Sequence, residues 1–177
     1  MIKLSGNSIV VREYKDTDIA QLMLEVNDPQ ISQNTLKIPH PYTEDDAHFW
    51  IAHTQKEYSR DQRTSLPLAI TLNDKLIGAV GLDNLQKNKA EVGYWLGKNH
   101  RGNNYVPEAL NLLVDYTFKE LKVARLYAKI FKGNAGSKRV LEKCGFKYEG
   151  TLEKDEVKNG QLIDVEVYAK INPQVNN

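Results

Sequence analysis

The stretch that decides the fold spans residues 90–146 and reads AEVGYWLGKNHRGNNYVPEALNLLVDYTFKELKVARLYAKIFKGNAGSKRVLEKCGF. Its first seven residues alternate between two kinds of side chain, which predicts a β-strand with two different faces. Residues 97–104 follow without an apolar side chain, and Pro107 stands where the first residue of a helix is expected. The order is therefore strand, polar loop, helix. One face of the strand carries Val92, Tyr94 and Leu96, and the other carries Glu91, Gly93 and Trp95.

The junction between this loop and the helix is suited to an anion. The first N–H groups of a helix have no partner inside the helix, and they point outward at the positive end of its dipole. A pyrophosphate is the kind of group that such N–H groups bind. Strand, loop and helix follow one another in many α/β folds, so the junction alone does not define a function.

The second half of the stretch narrows the choice. A predicted strand at residues 125–130 leads into Asn134-Ala135-Gly136-Ser137, which opens a short helix that ends at Gly145. With these residues the chain resembles the GNAT (GCN5-related N-acetyltransferase) superfamily, and within it the RimJ/RimL-like branch. The resemblance covers nearly the whole chain. The matching residues are Ala90–Leu96, Arg101–Tyr105, Glu108–Leu110, Asn134 with Ser137, and Gly145-Phe146.

The resemblance implies an α/β protein with the GNAT fold, in which a mixed, mostly antiparallel sheet of about six to seven strands carries helices on both faces. It also implies a splayed central pair, formed by the strand that ends at Leu96 and the strand that starts near Arg125. The predicted strands lie at 8–14, 65–72, 76–85, 90–96, 125–130, 146–152 and 161–171. The predicted helices lie at 16–27, 43–58, 107–121 and 134–144, with an irregular segment at 31–42.

Length and composition exclude several classes of protein. With 177 residues and a formal net charge of +1, the chain is expected to form one domain at 1–172 with a frayed tail at 173–177, and to bind neither nucleic acid nor a membrane. A single cysteine, Cys144, allows no internal disulfide, and a cytoplasmic protein is predicted. The four histidines lack metal-ligand spacing, so no metal site is expected.

Acetyl-CoA is the cosubstrate that the resemblance implies, and the family pattern Q/R-x-x-G-x-G/A would fall on Arg101, Asn104 and Val106. Arg101 fits, whereas Asn104 replaces a glycine and Val106 replaces a small residue. Asparagine tolerates positive φ best among non-glycine residues, so Asn104 can keep the turn. The branched side chain of Val106 is expected to crowd the pyrophosphate. The cofactor-binding residues that the resemblance implies are Tyr94, Trp95, Leu96, Arg101, Gly102, Asn103, Asn104, Tyr105, Val106, Asn134 and Ser137.

Two residues are candidates for proton transfer. Glu91 is the candidate general base, since an amine must lose a proton before it attacks a thioester; the alternative is an exposed or salt-bridged strand residue, and Asp83 is the reserve. Many GNAT proteins have a tyrosine acid where this chain has Leu141, so Ser137 is the candidate acid. Without the resemblance, Asn134 and Ser137 would be interpreted as helix-capping residues.

The sequence therefore predicts an acetyl-CoA-dependent N-acetyltransferase that moves an acetyl group directly to a primary amine. The acceptor is a protein N-terminus, as for ribosomal-protein acetyltransferases, or a small molecule, and residues 31–42 and 154–161 are expected to contact it. The resemblance leaves a homodimer open. The alternative is a non-catalytic CoA-binding sensor or scaffold with a degenerate site, suggested by Asn104, Val106 and the missing tyrosine.

Overall fold

A computed structural model describes residues 1–175 as eight strands in one sheet with helices on both faces. The spatial order of the strands is β1-β2-β3-β4-β5-β6-β8-β7. Among the strand pairs within residues 1–175, only β5–β6 is parallel, so the sheet is mixed and mostly antiparallel, as predicted. The strands are β1 Lys3–Ser5, β2 Val10–Arg12, β3 Leu66–Leu72, β4 Lys75–Asp83, β5 Lys89–Leu96, β6 Arg125–Phe131, β7 Lys147–Lys158 and β8 Gln161–Ile171.

The number of strands is eight rather than the six to seven expected. The additional strand, β1, has only three residues, and it pairs antiparallel with β2 through Leu4 and Val11. Three residues are too few for an alternating pattern to stand out in a sequence. The pairing partner, which the sequence does not reveal, therefore defines this strand.

Helices cover the two faces of the sheet and define two apolar cores. The larger core contains residues of α4 and α5, and the smaller contains residues of α1 and α3. Val92 and Leu96 belong to the larger core with Tyr94 packed against it, whereas Trp95 packs against the smaller one. The two faces predicted for β5 are thus confirmed. The helices are α1 Ile19–Val26, α2 Pro29–Gln33, α3 Glu44–Tyr58, α4 Tyr105–Lys119 and α5 Ala135–Lys143.

Three local predictions differ from the structure. The segment expected to be irregular begins with the short helix α2, which is capped by the Asp28 carboxylate. Helix α4 begins at Tyr105, so Pro107 is its third residue and not its first. The helix predicted at 16–27 begins only at Ile19, because a 3-10 turn at Asp16–Asp18 precedes it.

The last two strands form a longer hairpin than expected. β7 runs to Lys158, which pairs with Gln161 across a two-residue turn. Asn159 and Gly160 both have positive φ, which is the conformation that an Asn-Gly hairpin turn requires. The tip of the hairpin therefore extends beyond the part of β8 that pairs with β6.

The chain after β8 is anchored at its first residue. Asn172 is almost fully buried, and its side-chain amide donates to the carbonyl oxygens of Phe118 and Val123. The frayed tail predicted at 173–177 extends into residues 176 and 177, which lie outside the described residues. Across residues 1–175, none of the helices is long and apolar enough to cross a membrane.

The central strands β5 and β6 are splayed. They pair in parallel only at three positions, from Lys89 with Arg125 to Glu91 with Tyr127. β5 continues to Leu96 and β6 to Phe131, and within residues 1–175 these two halves are not paired with each other. The sheet thus has a gap between two neighbouring strands, beside the polar loop and the start of α4.

Candidate active site

The loop after β5 presents a row of unpaired backbone N–H groups. Within the described chain, the N–H groups of residues 102–106 have no hydrogen-bond acceptor. Gly102 has φ 85° and Asn104 has φ 61°, so the backbone turns sharply just before α4. Asn104 occupies the left-handed conformation that a glycine would adopt at this position. Five consecutive donors at a helix N-terminus can bind one anion.

Val106 lies in the core and not over the loop. Its side chain is 8% exposed and belongs to the larger apolar core, beneath the first turn of α4. The expectation that its branches crowd the pyrophosphate is therefore wrong for this backbone. The reason is the early start of α4, which makes Val106 the second helical residue and turns its side chain towards the sheet.

Arg101 is held by the protein itself. Its guanidinium donates to the carbonyl oxygen of Leu96 at 3.2 Å and to the Asp28 carboxylate at 2.6 Å, and it also binds the side chain of Gln30. These contacts connect the end of β5 to the start of α2. Arg101, the first residue of the family pattern, therefore stabilises the conformation of the loop by connecting two segments of the chain.

The gap between β5 and β6 exposes main-chain donors. Gly97 donates its N–H to Ile77 on β4, and donors alternate along an antiparallel strand. The N–H groups of Tyr94 and Leu96 consequently point away from β4 and towards the gap. A ligand lying in the gap can accept hydrogen bonds from them without any rearrangement of the strand.

Asn134 and Ser137 meet at the start of α5. The Asn134 side-chain oxygen accepts the Ser137 N–H at 3.1 Å, which is the arrangement of a helix cap. The hydroxyl of Tyr94 donates to the Ser137 carbonyl oxygen at 3.1 Å and so joins β5 to α5. Leu141 is fully buried. Burial raises the pKa of Tyr94, against the lowering effect of the Ser137 hydrogen bond, so its hydroxyl stays protonated.

Glu91 lies on the opposite face of β5 from Tyr94. Its carboxylate accepts a hydrogen bond from the Asn84 side chain at 3.0 Å, and Tyr127 stands beside it in the parallel register. The pKa of Tyr127 is raised, first by burial and then by the negative charge of Glu91. Asn84 and Tyr127 are absent from the sequence prediction, because only the register of three strands brings them to Glu91. The reserve residue, Asp83, is exposed and opposite Glu91 on β4.

Two lysines connect segments that are far apart in the chain. Lys158, at the end of β7, donates to the carbonyl oxygen of Thr35 at 2.7 Å across 123 positions. Lys143, at the end of α5, donates to the side-chain oxygen of Asn104 at 2.7 Å. Sequence reasoning missed both lysines, since no local pattern distinguishes them from other surface lysines.

Metal ligands and a reactive thiol are not evident. Over the described part of the chain, there is no group of three or more His, Cys, Asp or Glu side chains that could hold a metal ion. Cys144 is buried, and burial raises the pKa of its thiol, so the thiolate is disfavoured. Neither feature adds a reactive group to the gap.

Comparison with known proteins defines the class. Residues 8–147 match the family model described as an acetyltransferase (GNAT) domain. The chain therefore belongs to the GNAT acetyltransferase family, and it is a GNAT-type N-acetyltransferase. The eight-stranded sheet with its splayed central pair is the open α/β sheet of that family.

Particular relatives refine this assignment. The chain is 34% identical to the probable N-acetyltransferase YjcK of Bacillus subtilis, over 96% of this chain and 97% of that protein. It is 34% identical to the ribosomal-protein-serine acetyltransferase of Escherichia coli, over 55% of this chain and 56% of that protein. The crystal structure of the microcin C7 self-immunity acetyltransferase MccE with acetyl-CoA and AMP has the same fold. Its TM-score is 0.81 at 24% identity, with 93% of each chain covered.

Proposed function

We propose that this protein transfers the acetyl group of acetyl-CoA directly to a primary amine in a ternary complex. The observation that carries the proposal is the row of five unpaired N–H groups at residues 102–106, beside the gap between β5 and β6. A pyrophosphate fits the first feature, and an extended pantetheine chain fits the second. The acetyl-CoA seen in MccE, which shares this fold, supports the choice of cosubstrate.

The surroundings of the loop suit a phosphate. A side chain built on Gly102 would meet nothing within 4 Å, so the loop opens onto free space. The carboxylate of Glu108, the one acidic residue in the first turn of α4, accepts the Ser8 N–H at 2.8 Å and is thereby engaged. Lys98, just before the loop, and Lys138 and Arg139, in α5, are exposed and can screen phosphate charge. The donor set is therefore matched to an anionic ligand.

Direct transfer assigns roles to residues on both faces of β5. Glu91, held by Asn84, accepts a proton from the incoming ammonium, directly or through a water. The amine nitrogen then forms a bond with the thioester carbon, and the N–H groups of Tyr94 and Leu96 stabilise the negative oxygen. The carbon–sulfur bond breaks, and the thiolate takes a proton from the Ser137 hydroxyl or from a water bound to it. The nitrogen of the new amide loses its second proton to water, solvent returns a proton to Ser137, and Glu91 releases the proton that it accepted to solvent.

The acceptor that we propose first is the N-terminal amine of a protein. The ribosomal-protein-serine acetyltransferase of Escherichia coli, which shares 34% identity over about half of the chain, supports this class. Small amines are the second class to test. Residues 31–33 of the predicted acceptor segment 31–42 belong to α2, so the segments that we propose contact the acceptor are residues 34–42 and the β7–β8 hairpin tip at 154–161. A hydrogen bond from Lys158 joins the two segments. We call these two segments the acceptor side, and residues 97–107 with α5 the cofactor side.

Calorimetric titration with acetyl-CoA, followed by a thiol-release assay over peptides and small amines, tests the function. Micromolar binding and thiol release that depends on an amine are the expected results. Binding without thiol release for any amine would instead favour the non-catalytic sensor, and failure to bind acetyl-CoA would overturn both. The peptides should include N-terminal serine and alanine, each compared with its N-terminally blocked form, in which no amine is available.

A further inference from the structure

The contact between Lys143 and Asn104 exists because this chain departs from the family pattern. The ammonium of Lys143 donates to the Asn104 side-chain oxygen at 2.7 Å, between residues 39 positions apart. The glycine of the usual pattern would have no side chain to accept this bond. Asn104 meets the backbone requirement of the turn, since its φ is 61°, and it adds an acceptor as well.

The contact brings a positive charge to the row of unpaired N–H groups. Asn104 is the N-cap of α4, and its own N–H is the third of the five free donors. An ammonium has three donors, and the bond to Asn104 uses one of them. Within residues 1–175, Lys143 has no carboxylate within salt-bridge distance. Its charge is therefore not neutralised by the protein.

We propose that Asn104 and Lys143 form a phosphate-binding pair, in which Asn104 positions the Lys143 ammonium to bind the pyrophosphate of the acyl-CoA. The inference rests on the proposed use of acetyl-CoA and adds a side-chain cation to a site otherwise made of backbone N–H groups. A hydrogen bond between an ammonium and a phosphate is charge-assisted and stronger than a neutral one. Asn104 then increases the affinity for the acyl-CoA, and it does more than replace the glycine in the turn.

The proposed pair and the usual family pattern predict different effects for the substitution Asn104→Gly. Restoring the usual residue with Asn104→Gly should be neutral or favourable if the pattern alone matters. If the pair binds the pyrophosphate, Asn104→Gly weakens CoA binding, because Lys143 loses the side chain that positions it. Lys143→Gln should weaken CoA binding about 3–10-fold at low ionic strength. The loss should be smaller at high salt, because Lys143 is solvent-exposed and salt screens its attraction to the pyrophosphate. The double variant should be no weaker than Lys143→Gln alone, since the two residues act together.

Calorimetric dissociation constants for CoA, dephospho-CoA and pantetheine test this inference without an activity assay. CoA and dephospho-CoA, which both carry the pyrophosphate, should lose affinity equally, and pantetheine should be unaffected. The matched control is Lys119→Gln, which removes the same charge from the far end of α4, about 21 Å away along the helix. Circular dichroism and thermal melting establish that each variant is folded.

Each outcome decides the matter. The pair would be overturned by equal affinities of Lys143→Gln and Lys119→Gln, by unchanged or tighter binding in Asn104→Gly, or by a loss that is seen with CoA and not with dephospho-CoA. The last result would place Lys143 at the 3′-phosphate. If the wild-type protein binds CoA and the variants bind it equally tightly, only this inference fails. If the wild-type protein does not bind CoA, the proposed function fails with it.

Discussion

The cofactor side and the acceptor side are built from different kinds of contact. The cofactor side combines the loop at residues 97–107 with α5, and its proposed donors are chiefly the main-chain N–H groups of residues 102–106. The acceptor side joins residues 34–42 to the β7–β8 hairpin through the Lys158 ammonium. A site made of main-chain N–H groups depends on φ and ψ, and Asn104 keeps the left-handed conformation of the turn. A site made of side chains from distant segments changes whenever one of those side chains changes.

The largest effect is expected from Glu91→Gln, which would separate chemistry from cofactor binding. General base catalysis contributes about 10²–10⁴-fold, so we expect kcat to fall about 100-fold. The dissociation constant for acetyl-CoA should stay within about twofold, because the proposed binding groups are main-chain N–H groups of the loop and the gap and do not include the Glu91 side chain. Asp83→Asn is the matched control, since Asp83 pairs with Glu91 in the register of β4 and β5 but is exposed. A kcat of Glu91→Gln equal to that of the wild type would remove Glu91 from the mechanism, and a fall confined to Asp83→Asn would give the role of base to Asp83.

A smaller effect, confined to the acceptor side, is expected from Lys158→Ala. The change removes the hydrogen bond to the Thr35 carbonyl oxygen, so residues 34–42 lose their tether to the hairpin. The KM for the amine should rise about fivefold, roughly the worth of one such bond, while the acetyl-CoA dissociation constant is unchanged. Lys147→Ala, at an exposed position on the same strand, should change neither. A rise in the acetyl-CoA dissociation constant would mean that the two sides are not independent.

The stability of the cofactor side should depend on the Tyr94 hydroxyl. Tyr94→Phe keeps the ring in the core but deletes the bond to the Ser137 carbonyl oxygen, so the free energy of unfolding should fall by about 1 kcal/mol in urea. Tyr148→Phe removes a hydroxyl that binds Thr151 on the exposed edge of the sheet, and it should cost only a few tenths of a kcal/mol. Equal losses in the two variants would show that the β5–α5 bridge adds nothing specific.

The smallest effect concerns Arg101, which connects the cofactor side to the start of α2 through Asp28. Burial acts to raise the pKa of Asp28, but hydrogen bonds from the Gln30 N–H and from Arg101 outweigh it, so the pKa is lowered. A lowered carboxyl pKa stabilises the fold above the unfolded value, near 3.9, and this stabilisation is lost as the pH falls through the folded value. Arg101→Gln should therefore flatten the loss of stability below about pH 4, by less than about 1 kcal/mol.

Urea unfolding at several pH values measures this effect, and Arg125→Gln is its control. Arg125 on β6 likewise lowers the pKa of its partner, Glu149 on β7, first through a hydrogen bond, but this pair lies across β8 and away from the loop. Both variants should flatten the acid limb, whereas Arg101→Gln alone should weaken acetyl-CoA binding. A pH profile of Arg101→Gln that superimposes on that of the wild type would contradict the role of the Asp28 contact.

Much of the fold could be predicted from the sequence because its signals are local. The alternation of β5, the Thr43–Asp46 capping box of α3 and the Asn159-Gly160 turn each lie within a few residues, and the structure has all three. β1 could not be predicted in this way, because three residues form a strand only through their pairing with β2. The start of α4 was placed two residues late, since Pro107 is also compatible with the third helical position.

The candidate site divides in the same way. The residues of the loop and the start of α5 were predicted, because they follow one another in a recognisable order, whereas their roles stay predictions. Val106 is buried in the core because of where α4 begins. Arg101 binds the Asp28 carboxylate because of where α2 lies. Asn84 and Tyr127 reach Glu91 only through strand register.

The sequence by itself therefore determined the family, the order of the elements and the composition of the cofactor loop, because these depend on residues close together in the chain. Only the tertiary structure decided which strands separate, which side chains fill the core and which charges meet. The Lys143–Asn104 and Lys158–Thr35 contacts bridge 39 and 123 positions. Contacts at such separations follow from the packing of whole helices and strands, which no short stretch of sequence specifies.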